Sequence, residues 1–72
     1  MRYYVTEDMM YCEDVGKYRS YGIELREGER VIERIRDIDI SREGVEALCK
    51  LCNKLELSPI HFRDVIEDYI SR

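Results

Sequence analysis

The period of the apolar residues changes once along this chain, near Asp39, and that change limits what the chain can fold into. Before it, apolar and polar residues alternate: Tyr21, Ile23 and Leu25 sit two apart, and Val31 and Ile35 keep the same parity. After it, the spacing is three and four, as in Val45, Leu48, Cys52 and Leu55. A period of two lines one face of a strand, and a period near 3.6 lines one face of a helix. A strand half followed by a helix half predicts an α+β fold.

Within the strand half, Gly28 divides "LREGERV" into two runs. A three-residue loop Arg26-Glu27-Gly28, with Gly28 in the left-handed region, is expected to close a hairpin. That register sets Ile23 opposite Val31 and Glu24 opposite Arg30, an apolar pair on one face and an ion pair on the other. "RYYVT" has strand composition, so a first strand is expected near residues 2–12, with a turn at Gly16, completing a three-stranded antiparallel meander. The apolar parity shifts between Ile35 and Ile38, which predicts a bulge or strand exit near Arg36.

Ser41 is suited to cap the next segment, because its hydroxyl can accept an orphan amide of the first turn. Cys49 and Leu51 flank the helical stripe, and the helix must end before Pro59, the only proline. Ser58-Pro59 then starts a second helix, with proline at a position where its missing N–H costs nothing. Phe62, Val65, Ile66, Tyr69 and Ile70 form its inner face, and Asp64, Glu67 and Asp68 lie outside it. So short a link predicts two antiparallel helices packed on one sheet face. The expected order is βββαα in a single domain over residues 1–72, with sheet over 1–38 and helices over 41–56 and 58–71.

At 72 residues the chain is near the lower limit for a fold held by its own core. Such a chain buries only about 60% of its unfolded surface. Disulfides, a metal or oligomerisation commonly supply the rest. Three cysteines is an odd number and argues against a disulfide framework. No apolar run approaches the roughly 18 residues of a membrane span, and "MRYYVTEDMMY" lacks the apolar stretch of a secretory signal. These features predict a cytoplasmic protein with reduced thiols. The net charge is −4, with seven Lys/Arg and eight Asp/Glu in residues 1–36 and five and eight in residues 37–72. No basic footprint for nucleic acid results.

The segments "YGIEL" (21–25), "DIS" (39–41), "LCN" (51–53) and "LSPIHFRDVIED" (57–68) resemble a family of short bacterial proteins catalogued as a domain of unknown function. The likeness covers roughly the last fifty residues, and its most specific part is the proline–histidine helix start. It implies a bacterial, cytoplasmic protein and brings no catalytic residues with it.

Four groups of residues invite a functional reading. His61, the only histidine, falls in the first turn of the second helix, where packing or local hydrogen bonding accounts for it; a general base needs a positioned partner. Cys49-Lys50-Leu51-Cys52 is a CxxC that, with His61 and Cys12, offers sulfur and nitrogen ligands for zinc. The cysteines sit inside a helical apolar pattern, however, and read first as small core residues, with zinc or thiol chemistry as a weaker alternative. "DIDISRE" spaces acidic residues like a calcium loop, but Arg42 stands where glycine is required and Leu48 where glutamate is, so calcium is rejected. Finally, Arg30, Arg34 and Arg36 alternate on a strand with Ile32 on the same face, and Tyr3, Tyr18 and Tyr21 lie in the preceding strands. A solvated sheet face is the plain account. A binding surface is the sharper one, since tyrosine and arginine carry energy at interfaces and suit a base and a phosphate.

No nucleophile–base–orienter set can be assembled, so no enzyme is expected, and no cofactor. The expected function is a small interaction or regulatory module whose partner is itself, as a homodimer or higher oligomer. The alternative is an oligomeric binder that sequesters a nucleotide-like ligand between protomers through Tyr3, Tyr18, Tyr21, Arg30, Ile32, Arg34 and Arg36. An unidentified protein partner fits the first reading as well.

Overall fold

Alternation in the first half of the chain yields three strands, β1 (Arg2–Cys12), β2 (Gly16–Glu27) and β3 (Arg30–Asp39). The 3.6-residue period in the second half yields two helices, α1 (Arg42–Lys54) and α2 (Pro59–Ile70). The computed structural model describes residues 1–72 and arranges the strands as one antiparallel sheet in the order β1-β2-β3. The βββαα order and the α+β class are as expected from the sequence.

β1 and β2 pair without a slip from Arg2↔Arg26 to Cys12↔Gly16. β3 joins only the later part of β2, from Tyr21↔Asp39 to Glu27↔Arg30. The tip of the β1–β2 hairpin, residues 8–12 with 16–20, therefore extends past β3 as a two-stranded ribbon. Its turn uses Gly16 at φ +78°, a conformation a side chain would resist.

The β2–β3 register corrects the expected one. The reversal lies at Gly28-Glu29, with Gly28 at φ +62°, because Glu27 pairs with Arg30. An irregularity follows at once, where Leu25 faces Glu33 but Arg26 faces Val31. Ile23 thus opposes Ile35 rather than Val31, and Glu24 opposes Arg34 rather than Arg30. The displacement is even, so each of these β2 residues keeps its face, as a period of two requires. The second irregularity lies between Tyr21 and Ile23 and bows β3 near Arg36, where the parity shift pointed. There Asp37 adopts φ 54°, and β3 crosses so close over Gly22 that a Cβ would strike the Ile35 carbonyl oxygen and lie 2.9 Å from the Arg36 Cα.

One sheet face carries both helices. Tyr3, Ile23, Leu25 and Ile38 from the sheet meet Val45, Leu48, Cys49 and Cys52 of α1 and Phe62 and Ile66 of α2 in one core. Each buried side chain of this size contributes about 1.5–3 kcal/mol of hydrophobic stabilisation. Ser41 caps α1, its Oγ accepting from the Gly44 amide at 3.1 Å. Ser58 precedes Pro59 as expected but makes no side-chain cap bond. α2 runs back along α1, since Tyr69 in its last turn donates to Asp39 Oδ2 at 2.5 Å, just before the start of α1. No helix is long and apolar enough to cross a membrane.

Candidate functional site

The uncovered sheet face is where charge gathers. Glu24, in the middle strand, is only 2% exposed, although it lies on the side away from the helices. A buried carboxylate needs partners. Arg34 from β3 donates to Oε1 through Nε at 2.8 Å and through Nη2, and Arg26 donates to Oε2 through Nε at 2.5 Å. The hydrogen bond from Arg34, then that from Arg26, holds the Glu24 carboxyl below its ordinary range against the opposing effect of burial. Arg26 also lies 4.5 Å above the centre of the Tyr4 ring. Around this pair lies a wholly polar depression of about 240 Å³, lined by Thr6, Asp8, Glu24, Arg26, Arg34 and Arg36 among others. Arg36 makes no ion pair. The Thr6 hydroxyl, buried beside Gly22, has no hydrogen-bond partner.

The sequence-predicted site residues do not all meet here. Arg34 and Arg36 do. Arg30 stands at the β2–β3 turn opposite Glu27, beyond the bulge. Ile32 packs against the core instead of waiting on the wet face for a partner. Tyr3 is a core residue, 3% exposed, with its ring 4.8 Å from that of Phe62 and its hydroxyl donating to the Leu57 carbonyl at 2.6 Å. Burial pushes its phenol up to about 12. Tyr21 packs against the core as well. Tyr18 is tied to the β3 bulge, donating to Asp37 Oδ2 at 3.0 Å while the Ser20 hydroxyl donates to Asp37 Oδ1 at 2.6 Å. Arginines thus converge, and an aromatic platform beside them does not form from these three tyrosines.

Cys49 and Cys52 are buried in the core face of α1, and His61 is exposed on α2. No group of three His, Cys, Asp or Glu comes close enough to hold a metal ion. Burial raises both thiols, Cys52 to about 11, which leaves them poor nucleophiles near neutrality.

A second feature lies at the sheet's margin. The Tyr3 amide donates to Asn53 Oδ1 at 2.8 Å, and Asn53 Nδ2 donates to the Tyr3 carbonyl at 3.0 Å. The Asn53 side chain from α1 thereby imitates a neighbouring strand at one residue. Because β1 pairs with β2 without a slip, Val5, Glu7, Met9 and Tyr11 point their amides and carbonyls the same way as Tyr3. These four have no partner there in the chain. Met9 and Tyr11 are 61% and 69% exposed.

Sequence reasoning missed Arg26, Thr6 and Asn53. Arg26 had a signal, since it shares the strand face of Glu24 two residues away. Asn53 had none, because its contact with Tyr3 spans 50 residues.

A three-stranded sheet with helices on one face and an open, charged other face defines a small α+β protein. Within that class, the chain belongs to the family of unknown function DUF6514, which it matches over residues 1–72, well beyond its last fifty. No curated protein and no solved structure matches the chain.

Proposed function

We propose that this protein is a non-enzymatic interaction module of the bacterial cytoplasm that works as a homo-oligomer, with the outer edge of β1 as its contact. One observation carries the reading: an unbulged edge strand with four consecutive outward residues unpaired, two of them bearing large exposed apolar side chains. Folded proteins shield such an edge by bulges, charge or a covering element, or else pair it. Three free cysteines agree with a reducing compartment. Light scattering after gel filtration at micromolar concentration tests the reading. The expected mass is a whole multiple of 8.7 kDa; a monomer throughout that range overturns it.

The second reading, a binder of nucleotide-like ligands, draws on the polar depression with the unpaired Arg36 and the unsatisfied Thr6 hydroxyl. Arg34 already serves Glu24, so Arg36→Ala is the cleaner test. Calorimetry with purine mononucleotides is expected to show binding that this substitution removes. Equal heats in both proteins discard the reading.

A further inference from the structure

Resting on the self-association just proposed, we infer that the partner is a second copy of this chain whose β1 pairs antiparallel with β1 about a twofold axis at Met9. Antiparallel pairing requires outward-facing residues to oppose outward-facing residues, and on β1 these are Tyr3, Val5, Glu7, Met9 and Tyr11. A twofold axis must therefore pass through a residue, and each choice fixes every pair. An axis at Glu7 sets that carboxylate against its own copy, and an axis at Asp8 does the same to Asp8. An axis at Met10 opposes Glu7 with Glu13, and one at Tyr11 opposes Asp8 with Asp14. Like charges directly opposite destabilise a ladder. Axes at Val5 or Thr6 need the outer groups of Tyr3, which Asn53 already occupies. Of the remaining axes, Met9 pairs the longest open stretch of β1 without opposing like charges.

That register leaves no like-charged pair: Glu7 opposes Tyr11, Asp8 opposes Met10, and Thr6 opposes Cys12. It also uses the open stretch from end to end, since Val5, the first outward residue past Asn53, meets Glu13, where the hairpin turn begins. The result is a continuous six-stranded sheet with the helices of both copies on one face.

Odd-numbered residues of β1 lie on the helix side, where Tyr3 and Val5 meet the core. Tyr11 of one copy therefore stands on that side, level with Glu7 of the other. Beside it lies a groove of about 530 Å³ between β1 and α1, lined by Val5, Ala47, Cys49, Glu43, Glu46 and Lys50 among others. Tyr11 enters this groove in the pair. Lys17, opposite Tyr11 on β2, lies on the same side and brings its ammonium toward Glu43 and Glu46 of the second copy.

Single cysteines on the free edge test the register. In a chain carrying Cys12→Ser, which leaves only the two buried thiols, Met9→Cys, Glu7→Cys and Asp8→Cys are each treated with diamide. The expected result is a disulfide-linked dimer from Met9→Cys alone, because paired Cα atoms about 5.5 Å apart suit a disulfide. In the native chain, Met9→Lys, with two ammonium groups on the axis, weakens the dimer at least tenfold. A dimer that links faster through Glu7→Cys or Asp8→Cys overturns the register and leaves self-association standing. A dimer that none of the three links, and that Met9→Lys does not weaken, removes β1 as the contact. A monomer overturns both.

Discussion

The two edges of this sheet manage the same hazard differently. β3 is bulged near each end, carries Arg30, Arg34 and Arg36, and bends around Asp37 in a left-handed conformation. Its hydrogen-bonding edge is interrupted by bulges and charged, two of the usual defences against another strand. β1 has no irregularity along its eleven residues, its only mid-strand charges are Glu7 and Asp8, and a covering group stands at one point only, where Asn53 takes the place of a strand at Tyr3. The bulges that guard β3 also draw Arg34 and Arg36 over the open face, so one device protects an edge and builds the charged surface. β1 is straight, and straightness is what a partner strand requires.

The sharpest way to break this contrast is at Gly22, where the bowed β3 comes closest. Gly22→Ala forces a Cβ against the backbone of Ile35 and Arg36. A loss of about 3–4 kcal/mol in urea unfolding is expected, because backbone cannot give way as a flexible side chain can. A loss under about 1 kcal/mol means that β3 is not fixed in its bowed path.

Glu24 comes next. Glu24→Ala leaves Arg26 and Arg34 converging on each other without their carboxylate, an expected loss of about 2–3 kcal/mol. That is below the figure for a fully buried pair, because both guanidinium side chains are 42% exposed. The same group sets an acid response. Its folded pKa lies below the ordinary 4.5, so its contribution is complete above that pH and is lost as pH falls through the lower folded value. Asp39, held down by the Tyr69 hydroxyl and the Ser41 amide, acts in the same direction below its ordinary 3.8. Thermal unfolding from pH 6 to pH 2 is expected to show a declining midpoint that Glu24→Gln makes less steep.

Much of this contrast was legible beforehand, and the part that was not has a physical reason. Ser41, Ser58 and Pro59 marked the helix starts because capping chemistry is local, and both helices fall within two residues of their expected ends. Gly16 and Gly28 marked the two turns for the same reason. The register between β2 and β3 escapes alternation because the displacement is even beyond the one-residue bulge at Ile32 but odd between that bulge and the Gly28 turn. Arg30 and Ile32 were consequently placed on the charged face, and the structure puts Ile32 against the core. The tyrosines misled differently: composition placed them in strands, but only tertiary packing decides that Tyr3 is core and Tyr11 is exposed.

Asn53→Ala sharpens the comparison at the other edge. It removes both bonds to the Tyr3 backbone and costs about 2 kcal/mol. Because Tyr3 lies outside the Val5–Glu13 stretch that pairs about Met9, the variant is expected to keep its self-association while its fold is weaker. Sedimentation velocity beside urea unfolding separates the two effects.

The smallest expected change is at the Tyr3 hydroxyl. Tyr3→Phe forfeits the bond to the Leu57 carbonyl, about 1 kcal/mol. In the native protein, the folded state favours the neutral phenol, so its contribution is intact below pH 10.0 and is lost as pH climbs toward about 12. The substituted protein lacks that alkaline decline, which a midpoint series from pH 9 to pH 12 reads directly.

The bonds from Tyr3 to Asn53 and Leu57 also bear on how the chain matures as it is made. They join residues 50 and 54 positions apart. At a synthesis rate of about 5–20 residues per second, the first strand waits roughly 3–10 seconds for its partners on α1 and the loop beyond it to emerge. A two-stranded hairpin is at best marginally stable alone. The nascent protein therefore spends much of that interval with the outer edge of β1 bare, and its docking waits for the end of α1.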